Sequence, residues 1–386
     1  MNETTAFVGA RIFDGERWHD DAALLAGVDG VEGVVAGDAL GDLPVERLDG
    51  GLLVPGFVDL QVNGGGGVLL NEQPTLDGIR TICTTHARFG TTALLPTLIT
   101  DTPEVTARTV AAGIAAAAAR IPGFLGLHIE GPHLSIARKG AHDPGLIRPM
   151  DDVDIERLVA ARGRLPNLLT TVAAETVHPQ QIARLAGAGV HVSIGHSDAG
   201  LAQVVAAARA GASLATHLFN AMSQIGNREP GVVGAVLAEG GLHAGLIADG
   251  IHVHPESIGI ALRAKRGPGR IFLVTDAMSP TGTEMTSFTL NGRTIYRSEG
   301  ALRLADGTLA GADLTMIEAI AFMHRRIGLP LQEALRMATV YPADALGLAG
   351  RHGRLGAGAA ADFVHLSEAL AVQATWIGGR VAFRAS

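Results

Sequence analysis

Four ionisable residues end short apolar segments of the sequence, where they could bind a metal ion and transfer protons. They are Glu130, His196, His217 and Asp276. One carboxylate and two imidazoles form the ligand set of a catalytic zinc-type site, which leaves one coordination position open for water. Asp276 could be a fourth ligand or could accept a proton from that water, and we favour the second role. The pattern therefore indicates a metal site at which water is activated.

Each of these residues also has a simpler interpretation. A single histidine at the end of a strand is more often a hydrogen-bonded structural residue than a ligand, and only the convergence of several residues favours a metal site. His128 and His191 lie inside their segments, so we interpret them as structural. Glu175 ends another segment and is assigned a supporting or structural role. A serine nucleophile beside His196, such as Ser197, would need that histidine free of metal, which weakens this alternative.

Eight apolar segments along the chain supply the elements that must position these residues. They cover residues 53–62, 91–98, 124–130, 168–175, 190–196, 213–218, 243–249 and 271–276. Nearly continuous apolar segments are typical of parallel strands buried on both faces of a sheet, and helical patterns lie between most of them. The alternation predicts an α/β fold, a (β/α)8 TIM barrel over residues 54–350. Its strand ends would bring the four residues to one mouth, together with Gln61, Asn63, Asp249 and His252.

The two ends of the chain do not follow this alternation. Residues 1–53 and 351–386 contain short β segments, and the first part has turn signals such as Asp14-Gly15 and Asp29-Gly30. The apolar segments near the C-terminus are unsuited to lie alone in water. We therefore predict that the two ends pair into one small β-sandwich domain.

Composition limits the classes of protein to which the chain can belong. With 47% hydrophobic and 18% charged residues, the chain is predicted to be globular rather than disordered. Its net charge of −8 argues against a nucleic-acid partner, and no apolar segment is long enough to span a membrane. Its one cysteine, Cys83, and an N-terminus without a signal-peptide pattern favour the cytoplasm.

Seven motifs carry a resemblance to a known family. They are VPGFVDLQVNG (54–64), HIEGP (128–132), KGAHD (139–143), GHS (195–197), THLFNAM (216–222), DGIH (249–252) and TDA (275–277). In this order, and followed by GRLGAGAAADF (353–363), they resemble the N-acetylglucosamine-6-phosphate deacetylases of the amidohydrolase superfamily. The resemblance implies hydrolysis of N-acetyl-D-glucosamine 6-phosphate to D-glucosamine 6-phosphate and acetate, in amino-sugar catabolism and cell-wall sugar recycling.

The resemblance also implies roles for individual residues. Glu130, His196 and His217 would bind one divalent ion per subunit, with zinc preferred and Fe²⁺, Co²⁺ or Mn²⁺ as alternatives. One ion is expected because Gln61 and Asn63 stand where two-metal relatives have His-x-His. Asp276 would be the general base, and His142 would stabilise the oxyanion. The substrate would contact Gln61, Asn63, Ala141, His142, Asn220, Ala221, Arg228, Asp249, Gly250, Ile251, His252, Leu309, Ala310 and Gly311.

The partners implied are a phosphorylated N-acetylamino sugar and a second copy of the chain. In a homodimer, Arg228 and His252 would bind the phosphate near the subunit interface. Asp143 stands where the family commonly has asparagine, which puts a negative charge near a site for an anionic sugar. The alternatives are a deacetylase of N-acetylgalactosamine 6-phosphate, another amide hydrolase of the superfamily, or a catalytically silent scaffold barrel. The complete set of polar strand ends argues against the scaffold.

Overall fold

The computed structural model describes residues 4–385 and places eight parallel strands at the centre of the fold. We number them β1 (Phe57–Val62), β2 (Thr91–Ile99), β3 (Leu127–Glu130), β4 (Leu168–Val172), β5 (His191–Ile194), β6 (Leu214–Ala215), β7 (His243–Leu246) and β8 (Ile271–Leu273). Each strand pairs with the next along the chain. The end of β1 and the residues after β8 close the ring, because the Asp276 amide donates to the Gln61 carbonyl at 2.9 Å. The predicted (β/α)8 barrel is confirmed.

Helices surround the barrel and bury the outer faces of its strands. Within residues 4–385 they are α1 (Leu76–Ala87), α2 (Pro103–Ala118), α3 (Asp152–Arg162), α4 (Pro179–Gly187), α5 (Leu201–Arg209), α6 (Gly231–Ala238), α7 (Pro255–Ala264), α8 (Met316–Arg325), α9 (Leu331–Ala338) and α10 (Val340–Ala345), with a 3-10 turn at Ile136–Arg138. The side chains of Thr75, Thr102 and Asp151 accept first-turn amides of α1, α2 and α3. Each such cap contributes about 1 kcal/mol. None of these helices is long and apolar enough to cross a membrane.

The two ends of the chain form a separate β-sandwich, as predicted. One sheet contains Gly30–Ala36, Ala22–Gly27, Thr5–Val8 and Val45–Arg47, in that order. The other contains Arg380–Arg384, Val372–Ile377, Phe363–Leu366, Leu52–Pro55, Arg11–Phe13 and Trp18–His19. Aromatic side chains fill the space between the sheets, with the ring centroid of Phe363 4.8 Å from those of both Phe7 and Trp376.

The first predicted barrel segment, residues 53–62, is two strands that belong to different domains. Leu52–Pro55 pairs with Phe363–Leu366 in the sandwich, and Phe57–Val62 is β1 of the barrel. The predicted domain boundary between residues 53 and 54 therefore falls inside a strand. Gly56 separates the two strands, and a Cβ there would overlap the Thr92 side chain, so the chain passes from one sheet to the other at a point where no side chain fits.

A small antiparallel sheet between β8 and α8 interrupts the predicted alternation of strands and helices. Its strands are Ser287–Leu290, Arg293–Ser298, Ala301–Leu304 and Leu309–Ala312. We did not predict it, although Asn291-Gly292, with φ values of 48° and 73°, is a hairpin signal. The sheet buries Phe288, Leu290 and Leu302 against Met278 beside the barrel mouth. Its last strand brings residues 309–311 to the site.

Candidate metal and active site

A cavity of about 310 Å³ lies at the carboxyl ends of the barrel strands. Glu130, His142, His196, His217 and Asp276 meet in it. Of the predicted substrate residues, those that line it are Asn63, Ala141, His142, Asn220, Ala221, His252, Leu309, Ala310 and Gly311. The strand ends thus bring together these residues from six barrel units and from the inserted sheet.

The spacing of three donor atoms fits a shared cation. Nε2 of His196 lies 3.3 Å, and Nε2 of His217 3.2 Å, from Glu130 Oε1. The two Nε2 atoms are 3.1 Å apart. A tetrahedral ion with bonds of about 2.0–2.1 Å keeps its ligand atoms about 3.3–3.4 Å from one another. The three side chains therefore have the donor chemistry and nearly the separations that a single divalent ion requires.

His142 is a fourth possible metal donor and lies in the same cluster as Glu130, His196 and His217. The ligand atoms of Glu130, His142 and His196 all lie within 4.8 Å of one another, so these three could also hold an ion. His142 Nε2 is 3.9 Å from Glu130 Oε2, whereas His217 Nε2 is only 3.2 Å from Glu130 Oε1. The shorter distances make His217 a better match than His142 to the spacing of a third donor, and the assignment of the ligands belongs to the proposal below.

The backbone at three of these positions adopts a conformation that few side chains accept. His196, His217 and Asp276 have φ values of 47°, 32° and 52°, in the left-handed region. A non-glycine residue there costs about 1–3 kcal/mol and persists where its surroundings fix it. Each residue follows the end of a barrel strand, and the turn directs its side chain into the mouth. The free energy of folding of the surrounding structure must therefore offset the strained backbone that orients these three side chains.

Hydrogen bonds orient the rings and set the charge of the ligands. His196 Nδ1 donates to the Arg138 carbonyl at 2.9 Å, which leaves the lone pair of Nε2 for a metal ion. Burial acts to raise the pKa of Glu130, but the adjacent His196 and His217 side chains lower it well below its usual value. Glu130 is therefore an anion facing two imidazoles.

Asp276 lies beside the ligands and is held by two side-chain amides. Its Oδ1 accepts from Asn63 Nδ2 at 2.7 Å and from Gln61 Nε2 at 3.1 Å. Gln61 Nε2 also donates to Glu130 Oε1 at 3.1 Å. Burial, followed by repulsion from Glu130, raises the pKa of Asp276 to about 6. A carboxylate with such a pKa is suited to accept and return protons near neutral pH.

His142 is buried and held by Thr100. Its Nδ1 lies 2.7 Å from Thr100 Oγ1. Burial and the neighbouring His196 lower the pKa of His142 well below its usual value, so the ring is neutral. Thr100 Oγ1 also lies 3.2 Å from the Glu130 carbonyl, which is a second acceptor for its one proton. The imidazole proton is on Nε2, where it can be donated into the cavity, when the Thr100 hydroxyl donates to Nδ1 instead of to that carbonyl.

The remaining predicted substrate residues, including the two predicted to bind phosphate, differ in whether they reach the cavity. Asp249 accepts from Nδ1 of His252 at 2.6 Å and from its backbone amide at 2.8 Å, so Asp249 orients the His252 ring that lines the cavity. Asp249, Gly250 and Ile251 do not line the cavity themselves, and Gln61 reaches it only through Glu130 and Asp276. Arg228 is exposed on the loop after β6, and this single chain does not bring it into the cavity.

Other residues of the cavity were missed in the sequence. They include Ile99, Ala137, Arg138, Gly140, Met278, Leu290 and Thr308. Arg138 directly precedes the KGAHD motif and Gly140 lies within it, which was a usable signal. Thr308 directly precedes the predicted residues 309–311, but the inserted sheet, whose last strand follows it, was not predicted. Arg293 of that sheet donates to the Ala141 carbonyl and so joins the insertion to the cavity wall.

The residues interpreted as structural or supporting have matching contacts. His128 lies between Thr97 Oγ1, at 3.3 Å, and Thr171 Oγ1, at 2.8 Å, beneath the ligand cluster. Glu175 accepts from Ser197 Oγ at 2.6 Å and from the Asp198 amide at 2.7 Å. Glu175 therefore fixes the turn that follows His196.

Comparison with known proteins places the chain among enzymes. The model of the amidohydrolase family matches residues 52–382. The chain is 42% identical to the N-acetylgalactosamine-6-phosphate deacetylase of Shewanella sp. (strain ANA-3), over 92% of this chain and 89% of that protein. It is 37% identical to the N-acetylglucosamine-6-phosphate deacetylase of Haemophilus influenzae, over 86% of this chain and 87% of that protein.

Solved structures agree with this result. The crystal structure of N-acetylglucosamine-6-phosphate deacetylase from Pasteurella multocida superposes with a TM-score of 0.93 at 34% identity, covering 98% of this chain and 99% of that one. A Mycobacterium smegmatis deacetylase mutant in complex with N-acetyl-D-glucosamine-6-phosphate gives a TM-score of 0.90 at 34% identity, covering 99% of both chains. The chain therefore belongs to the amidohydrolase family and, within it, to the N-acetylglucosamine-6-phosphate deacetylases that its motifs resemble.

Proposed function

We propose that this protein hydrolyses the acetamide of N-acetyl-D-glucosamine 6-phosphate, releasing D-glucosamine 6-phosphate and acetate. The observation that carries the proposal is the meeting of Glu130, His196 and His217 with the buried carboxylate of Asp276 in one cavity. The two relatives reported above are named as deacetylases of phosphorylated N-acetylamino sugars. This activity belongs to amino-sugar catabolism and to the recycling of cell-wall sugars.

Glu130, His196 and His217 would hold one divalent ion, and the best candidate is zinc, with Fe²⁺, Co²⁺ and Mn²⁺ as alternatives. When bound, the ion supplies Lewis-acid polarisation of the amide carbonyl and activation of water. A single ion is supported by Gln61, whose Nε2 donates to both Glu130 and Asp276. The Gln61 side-chain amide is thus engaged by two carboxylates. An amide is also a poor metal ligand compared with imidazole, so Gln61 is unsuited to bind a second ion.

The residues of the chain then move the protons. Asp276 accepts a proton from the attacking water as the new C–O bond forms, and it gives that proton to the amine nitrogen as the C–N bond breaks. His142 donates from Nε2 to the acetamide oxygen, where negative charge develops. Both groups are buried, which excludes competing water and strengthens these interactions.

The phosphate would be bound by His252 and by Arg228 of a second copy in a homodimer. Arg228 is exposed and lies outside the cavity of its own chain, which leaves its guanidinium free to reach a neighbouring subunit. His252 is fixed by Asp249 and lines the cavity. We also assign the protein to the cytoplasm, where its one cysteine, the buried Cys83, would stay reduced.

N-Acetylgalactosamine 6-phosphate is the second candidate substrate, because the Shewanella relative at 42% identity is named for it. The two sugars differ only in the orientation of one hydroxyl group. The test is acetate release from each sugar phosphate, by protein stripped of metal and then resupplied with zinc, iron, cobalt or manganese. We expect the larger kcat/KM for the glucosamine compound. A larger value for the galactosamine compound would assign the second substrate, and no release from either compound would refute the deacetylase function.

A further inference from the structure

Asp59 is a buried carboxylate that the proposed reaction does not use. It lies on β1, is 0% exposed, and does not line the active-site cavity. Its Oδ2 accepts from Thr275 Oγ1 at 2.5 Å, and both its oxygens lie 3.3 Å from the Thr275 amide. Its Oδ1 also accepts from the Gln61 amide at 3.2 Å. One side chain of β1 therefore binds the residue that precedes Asp276.

The backbone of Asp276 needs such support. Its φ of 52° lies in the left-handed region, which an aspartate adopts only at a cost in free energy. Its amide donates to the Gln61 carbonyl at 2.9 Å, and its carbonyl accepts from the Ala312 amide at 2.9 Å. These two bonds hold the peptide groups on either side of Asp276. Asp59, in contrast, binds both Thr275, the residue before Asp276, and the backbone amide of Gln61.

We propose that Asp59 and Thr275 are positioning residues of this enzyme, and that their hydrogen bonds hold Asp276 in the conformation that directs its carboxylate into the cavity. The inference rests on the proposed function, in which Asp276 is the base. The chain from Asp59 to Thr275 to Asp276 is direct, since Thr275 and Asp276 are consecutive and Asp59 contacts both the hydroxyl and the amide of Thr275. Neither Asp59 nor Thr275 needs to touch the substrate.

The competing explanation is that Asp59 only joins β1 to β8 and stabilises the barrel. In that case, removal of the Thr275 hydroxyl lowers the melting temperature but leaves kcat of the folded, metal-loaded protein unchanged. The positioning role predicts a different result, because a base displaced by even a fraction of an ångström loses rate while the substrate still binds. The separation of kcat from KM distinguishes the two.

The experiment compares three substitutions at position 275. Thr275→Val removes the hydroxyl and keeps the shape, while Thr275→Ala and Thr275→Ser differ from each other only in the hydroxyl. We expect Thr275→Val and Thr275→Ala to lower kcat by about tenfold or more, with KM and bound metal within about twofold of the parental protein. Thr275→Ser should recover most of the lost rate. If Thr275→Val does not fold, the alanine and serine pair makes the same comparison.

Thr339→Val is the matched control. Thr339 is also fully buried, and its hydroxyl donates to the Leu335 carbonyl at 2.8 Å, at the end of α9 and outside the active-site cavity. It should lose stability but keep kcat. A Thr275→Ala protein with kcat within about twofold of Thr275→Ser would overturn the inference.

Crystal structures of the alanine and serine variants give a readout that does not depend on activity. We expect the Asp276 carboxylate to lose its bond to Asn63 in Thr275→Ala and to keep it in Thr275→Ser. An Asp276 that is unmoved in both variants contradicts the positioning role. A parental protein that releases no acetate contradicts the proposed function instead, so the two failures are distinguishable.

Discussion

Replacement of Asp276 by asparagine tests the centre of the proposed mechanism. Both amide donors, from Gln61 and Asn63, converge on Oδ1 of Asp276 and leave Oδ2 to take the proton. In Asp276→Asn, the amide oxygen can keep both donors, while an NH₂ group that cannot accept a proton replaces Oδ2. The shape and the hydrogen bonds therefore persist, and only the proton acceptor is lost.

The expected loss follows from the contribution of a positioned general base. Such a group contributes about 10²- to 10⁴-fold in rate, which corresponds to about 2.7–5.4 kcal/mol of transition-state stabilisation. KM and the metal content should stay near the parental values, because the variant alters none of Glu130, His196 and His217. The assay is steady-state acetate release by metal-loaded protein, with bound metal measured on the same sample.

Two results would refute this reasoning. If Asp276→Asn turns over at nearly the parental rate, Asp276 is not the base. If it loses the metal, Asp276 is a fourth ligand, which is the alternative that the sequence left open.

Three further substitutions test other parts of the structure. Arg228→Ala should raise KM for the phosphorylated sugar about tenfold or more with little change in kcat, and an equal effect on unphosphorylated N-acetylglucosamine would exclude a phosphate contact. Gly195→Ala places a Cβ 2.8 Å from Thr171 Cγ2, so it should cost about 1–3 kcal/mol of folding free energy and weaken metal binding, as measured by denaturation and metal titration. Asp154, held by Arg148, has its pKa lowered from 3.8 to about 2 even though burial opposes the shift. Because the folded-state pKa is the lower one, the stability that this pair contributes is present above about pH 4 and is lost as the pH falls toward 2. Asp154→Asn should therefore be less stable than the parental protein at pH 7 by about 1–2 kcal/mol, and the difference should shrink at pH 3; an equal difference at both values would contradict this assignment.

The ligand cluster could be predicted from the sequence because strand ends are visible in it. Each of Glu130, His196 and His217 closes a buried apolar segment, and in a parallel barrel all such ends meet at one mouth. The sequence did not reveal the left-handed backbone at His196, His217 and Asp276, because only a few per cent of non-glycine residues adopt it, and Asp and His, although enriched there, carry no local pattern that marks it.

The remaining parts of the site depend on long-range packing. Thr308 lines the cavity beside the last strand of the inserted sheet, whose apolar residues pack on Met278, and no local pattern encodes that packing. The break at Gly56 was hidden within one continuous apolar segment, since the strands on both sides of it are buried. Arg228 was predicted from the resemblance alone; it lies outside the cavity of its own chain, and its contact with a phosphate in a dimer stays a prediction.

The β-sandwich has a consequence for how the protein is made. Strand Leu52–Pro55 pairs with Phe363–Leu366, so its partner leaves the ribosome only after more than three hundred further residues. Until then, the apolar side chains of Phe7, Ile12 and Leu53 lack the C-terminal part of their core, which includes Phe363 and Trp376. A nascent chain, or one cut short before Phe363, should therefore be prone to aggregate and depend on chaperones, even when its barrel is complete.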